Sequence, residues 1–129
     1  MRNSYSGLLY AASTRRTRFR LPHFAPKIMR YYKLDVTGEH PIQCNDMFDA
    51  DTCFSDENIR KVKVSPIFPE GELSTVFLCL DHSFQTDSEP VLWESLVFGG
   101  PHDGEMRRCV GTRTDALKMH TVFLEELNK

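Results

Sequence analysis

The hydrophobic pattern divides the chain into a featureless start, an alternating middle and a helical end. Residues 1–30 show no sustained period of 3.6 or 2 and combine Ser, Thr and Arg with Pro22 and Pro26, which reads as an arm or linker. Residues 31–36 have strand composition and stop at Thr37-Gly38. Residues 39–58 are polar and acidic, with Met47, Phe48 and Phe54 as candidate anchors, and read as a loop with one short helical turn. Lys61-Val62-Lys63-Val64 alternates as a half-wet strand, and Pro66, Pro69 and Gly71 then make a turn. Residues 73–80, rich in Thr, Val, Phe and Leu, form the strongest strand signal. A polar turn over 85–90 leads to a partner strand over 91–98, closed by Gly99-Gly100-Pro101, and a short strand follows over 106–110.

Residues 114–127 read as a helix. Thr114 is placed to cap it and Asp115 to favour its positive end, while Ala116, His120, Phe123 and Leu127 share one face with Leu117 and Leu124 alongside. Strands followed by one helix imply an α+β domain: an antiparallel β-sheet of about four to five strands with a C-terminal helix packed on one face. The expected organisation is a basic arm over 1–30 and a single domain over 31–129.

Length and composition agree with one globular domain of 129 residues, 40% hydrophobic and 26% charged. The longest apolar runs, such as 76–80, fall far short of the ~18 residues of a membrane span. Charge changes the picture more. Residues 1–33 hold eight Lys or Arg and no acid, whereas residues 34–129 hold eight basic residues against eighteen acids, a net of −10. The arm, with Arg15, Arg16, Arg18 and Arg20 at its centre, has three readings: an organellar transit peptide, a nucleic-acid-binding arm that neutralises phosphates, or an over-long start to a chain that begins at Met29.

Four cysteines, Cys44, Cys53, Cys79 and Cys109, contain no C-x-x-C pair. With no apolar leader expected, free thiols in a reducing compartment are the favoured reading and a disulfide pair the alternative.

Three ordered segments carry a resemblance. Residues 74–84 resemble an STVFLGLDHxF block, residues 90–100 a PxLFETMVFGG block, and residues 108–120 an RYxTxxEAxxGH ending. Together they are similar to small proteins of bacteriophages and prophages that carry no assigned chemistry. Cys79 stands where that pattern has Gly, Cys109 where it has Tyr, and Met119 where it has Gly. The resemblance implies a phage or prophage origin and a bacterial host cytoplasm as the place of action, and it weakens the transit-peptide reading.

Candidate chemistry lies at Asp81-His82, Glu94, His102-Asp103 and His120. A hairpin of 73–80 with 91–98 puts Asp81 and His82 near Pro90 and Val91, with Glu94 a little further along. It holds His102 and Asp103 at the far end, about 20 Å away at ~3.3 Å per residue. Asp81, His82 and His120 remain a candidate metal set, because carboxylate and imidazole suit zinc-like ions. The alternative is that His82 satisfies turn backbone groups and His120 packs in the core. No metalloprotease, deaminase, nucleophile-elbow or Walker pattern occurs, so no cofactor is expected. The acidic stretch of Asp46, Asp49, Asp51, Asp56 and Glu57 suggests a surface complementary to a basic groove. The expectation is a non-enzymatic accessory protein that contacts a bacterial host protein, with nucleic-acid-binding defence nucleases such as CRISPR effectors as the candidate partner class; a small metal-dependent enzyme and a nucleic-acid-binding module are the alternatives.

Overall fold

Alternation in the middle of the chain closes into a four-stranded antiparallel sheet. The computed structural model describes residues 29–83 and 88–129. In it β3 (Lys61–Pro66), β4 (Glu72–Phe77), β5 (Val91–Phe98) and β6 (Met106–Val110) pair in the order β3-β4-β5-β6. Residues 1–28, including Arg15, Arg16, Arg18 and Arg20, and residues 84–87, which take in the first half of the turn expected over 85–90, lie outside the described residues.

Residues paired across a sheet share a face. Leu73 pairs with Val97, Thr75 with Ser95 and Phe77 with Trp93, so these six line one face, and all are buried. Helix α3 (Arg113–Leu127) covers that face with Ala116, His120, Phe123 and Leu127, the four buried positions expected from its period. Two apolar clusters result. One joins Phe77, Leu92, Trp93 and Ala116 with Tyr32; the other joins Ile67, Leu73, Val97, Phe123 and Leu127. The Phe77 and Trp93 rings lie 4.8 Å apart, and the Trp93 indole N–H donates to the Gly111 carbonyl at 2.8 Å. The α+β arrangement, with one helix on an antiparallel sheet, is that of the sequence reading.

Four boundaries differ from it. Helix α3 starts one turn-fraction earlier, capped by Thr112 rather than Thr114, because only Thr112 stands three residues before Asp115 and forms the reciprocal capping box. Thr114 instead donates its hydroxyl to Glu39 Oε2 at 2.6 Å. The strand expected over 73–80 ends at Phe77, since Cys79 adopts the left-handed region (φ 64°) and breaks the pleat. The strand expected over 31–36 is only β1 (Tyr32–Leu34): Asp35 turns the chain by accepting from the Thr37 and Glu39 amides. The loop expected over 39–58 contains β2 (Pro41–Gln43), which pairs with β1, and two short helices, α1 (Asp51–Ser55) and α2 (Glu57–Arg60).

Two closures hold the ends of the main hairpin. At one, a Cβ on Gly71 would lie 2.6 Å from the Gly99 carbonyl oxygen, so the backbones approach as only glycine permits. At the other, the chain leaves β4 and joins β1 through Tyr32 N–H to Cys79 C=O at 2.8 Å. Among the described residues no helix is long and apolar enough to cross a membrane.

Candidate functional site

The acidic stretch is built around one turn. The Ala50 amide donates to Met47 C=O and the Asp51 amide to Phe48 C=O, both at 3.2 Å, which points Ala50 inward and leaves Met47 and Phe48 on the outside. Phe48 is 85% exposed and Met47 55%. The carboxylates around them have local tasks. Asp46 accepts from the Asp49 amide at 2.9 Å, and Asp56 caps α2 through the Asn58 amide. Lys33 donates to Asp49 at 2.9 Å and holds that carboxyl below its usual range. Glu57 lies 3.7 Å from Lys61, and Asp51 opens α1 at the helix end that favours negative charge. Asp46, Asp49 and Asp51 thus stand within three residues of exposed Phe48, with Asp56 capping α2 and Glu57 opening it. In the sequence, Met47 and Phe48 were indistinguishable from core anchors; side-by-side placement in an aperiodic acidic run is the sole hint that both face outward.

The loop is fastened to the body by its cysteine. Cys53 of α1 and Cys79 form a disulfide, with Cα atoms 6.5 Å apart. This corrects the expectation of free thiols for two of the four cysteines. Sequence order hid the pairing, since the two are 26 residues apart and only the left-handed turn at Cys79 aims that side chain at α1. Cys44 and Cys109 are free. Burial raises both thiols, that of Cys109 to about 11, so neither supplies a ready thiolate at neutral pH.

Asp81 and His82 do sit against Val91, as the hairpin geometry requires. Asp81 accepts from the Ser83 and Val91 amides at 2.8 and 3.0 Å and from Arg30 at 2.5 Å. Burial alone would raise its pKa; these donors outweigh burial and hold it at about 2. Arg30, assigned to the arm by sequence, thus belongs to the body. His82 Nδ1 donates to Leu80 C=O at 2.7 Å, and burial, with Arg108 nearby, keeps the ring below its usual pKa. Glu94 is fully buried and accepts from Arg108 Nε at 2.7 Å, while its Oε1 has no hydrogen-bond partner among the described residues. His102 and Asp103 lie at the opposite end, where His102 meets Glu105 at 2.6 Å and Asp103 accepts from the Gly99 amide.

His120 is elsewhere again. Its Nε2 lies 2.8 Å from Ser65 Oγ and its Nδ1 2.7 Å from Thr75 Oγ1, which in turn lies 2.5 Å from Ser95 Oγ. Both ring nitrogens are occupied, so neither offers a lone pair to a metal ion shared with Asp81 and His82. The candidate set is not assembled: among the described residues, no three His, Cys, Asp or Glu side chains gather as metal ligands. The row Ser65–His120–Thr75 has the order of nucleophile, base and orienter, but Ser65 is 7% exposed and the other two are fully buried. It is a polar clamp between α3 and three strands. In comparisons with family models, curated proteins and solved structures, the chain matches none.

Proposed function

We propose that this chain is a phage or prophage accessory protein that acts by protein–protein contact on a bacterial target, through the acidic turn that carries Phe48. The observation that carries the reading is an aromatic side chain 85% exposed among Asp46, Asp49 and Asp51. Exposing an aromatic to water is unfavourable, and aromatics are the residues that anchor interfaces. Carboxylates round such an anchor select a basic partner surface and speed encounter with it. The balance over residues 30–129, ten basic residues against eighteen acids, acts in the same direction. Proteins that grip nucleic acid have grooves of the required sign, and a defence nuclease is the partner class whose inhibition this chemistry suits. Phage origin rests on the three ordered sequence blocks.

The test is capture of a bacterial partner by the intact protein, repeated with Phe48→Ala and with Asp51→Lys and over a salt series. The expected result is one retained partner that both substitutions release and that salt weakens steeply. A partner retained equally by wild type and both variants would overturn the assignment of this surface.

A further inference from the structure

The segment that bears Phe48 is held to the body by few contacts other than its disulfide. Between residues 44 and 60 only Cys44, Ala50 and Cys53 are buried. Helix α1 has five residues and no side-chain cap, and α2 has four residues and buries none of them. Its non-covalent ties include the Cys44 amide to Tyr31 C=O at 2.7 Å, the exposed Lys33–Asp49 pair, an edge contact of Phe54 with Tyr31 at 6.1 Å, and the packing of Cys53 and half-buried Phe54 against the Tyr32, Phe77 and Trp93 cluster. Against these ties stands a covalent bond from the middle of α1 to a point of convergence. Cys79 receives the Tyr32 amide on its carbonyl, its neighbour Leu78 donates to Leu92 at 2.7 Å, and its neighbour Leu80 bridges to Tyr31. One bond thus ties the acidic segment to β1, β4 and β5 together.

We propose that the Cys53–Cys79 disulfide is a redox tether that sets the order of the Phe48-bearing segment. The inference deepens the proposed function, since it names a control on the same surface. A small dithiol is the reductant. Its thiolate attacks one sulfur, the other cysteine leaves as a thiolate and takes up a proton, and the mixed disulfide is resolved by the dithiol's second sulfur. Two electrons and two protons pass to the cysteines, and the dithiol becomes its cyclic disulfide; the disulfide form of a small thiol reverses the step. In the reducing compartment that the proposed function implies, bonds of this kind are transient and sense redox state. Both sulfurs belong to buried residues, so exchange proceeds through local opening of α1 and is slow in the closed form.

The reduced segment keeps its non-covalent ties alone, and its amides lose protection while the core keeps its own. Alkylation under denaturing conditions followed by intact mass should count two thiols in the oxidised full-length chain, Cys44 and Cys109, and four after dithiothreitol. Four thiols after treatment with glutathione disulfide would overturn the proposal. Hydrogen exchange of peptides covering 47–56 should quicken at least tenfold on reduction, with those of α3 and β5 unchanged; equal exchange in the two states would overturn it. Cys79→Gly removes the bond without strain, because glycine suits the left-handed backbone there, and should show the fast exchange with no dithiol present. These measurements need no partner, so failure of the contact surface leaves them readable; the Phe48→Ala capture test reads the surface with the bond intact.

Discussion

His120 Nδ1 lies 2.7 Å from Thr75 Oγ1, and this contact joins the only buried imidazole of α3 to the centre of the sheet. With Ser65 on the other nitrogen at 2.8 Å, both ring nitrogens have a hydroxyl partner. Burial lowers its pKa, and Lys63 nearby lowers it further. His82 is lowered as well, chiefly by burial. The unfolded chain therefore takes up protons before the folded one does. Stability should be full above pH ~6.5 and fall as pH drops from there towards the folded pKa values. Urea unfolding at pH 7.5 and pH 5.5 checks this, and a stability that is flat over the interval would contradict it. His120→Leu should remove its share of the slope and cost about 1–3 kcal/mol, since Ser65 loses the imidazole while Thr75 keeps Ser95.

Asp81 gives the opposite titration at lower pH. Its pKa of about 2 lies below the 3.8 of a free side chain, so its contribution is complete above that value and is lost as pH falls through it to about 2. The difference corresponds to about 2 kcal/mol at neutral pH. Asp81→Asn should lower stability by about that amount at pH 7 and flatten the acid limb between pH 4 and pH 2. Equal acid limbs in the two proteins would assign the effect to other carboxylates.

Glu94 and Arg108 should show strong coupling. Glu94 is fully buried and Arg108 is its one charged hydrogen-bond donor among the described residues. Arg108→Ala leaves a buried, unpaired carboxylate and should cost about 3–5 kcal/mol. Glu94→Gln made in that background should recover part of the loss by removing the charge. A double mutant as unstable as the sum of the single effects would mean that the pair is not coupled.

The sequence revealed the fold where one period dominated. The 3.6 period of α3 identified Ala116, His120, Phe123 and Leu127 correctly, because that helix has one buried face. The apolar runs of β4 and β5 likewise identified a buried hairpin. Legibility failed where geometry depends on a single backbone angle or on polar contacts. The strand stops at Phe77 because of the left-handed Cys79, and β-composition at Leu78 and Leu80 concealed this. Strand β2 buries no residue, so it left no hydrophobic pattern. His82 and His120 looked alike as sequence symbols, yet one meets a turn carbonyl and the other two core hydroxyls. The acidic stretch was visible as charge, but the outward aim of Phe48 comes from two turn hydrogen bonds that composition does not encode.

That outward aim separates stability from binding. Phe48 is 85% exposed, so Phe48→Ala removes little buried area and should change unfolding stability by no more than ~0.5 kcal/mol. Asp51→Lys should be similarly mild, apart from a small unfavourable charge at the start of α1. Partner retention should behave differently. An aromatic that enters a pocket on the partner contributes about 2 kcal/mol or more, so Phe48→Ala should weaken capture by at least tenfold. The charge reversal should act mainly on the association rate, and its effect should shrink as added salt shortens screening below about 8 Å. Surface plasmon resonance with the captured partner distinguishes the two. Faster dissociation for Phe48→Ala with slower association for Asp51→Lys is the expected division. If both variants unfolded early, the turn would be part of the core; if both bound as wild type does, the contact would lie on another face of the domain.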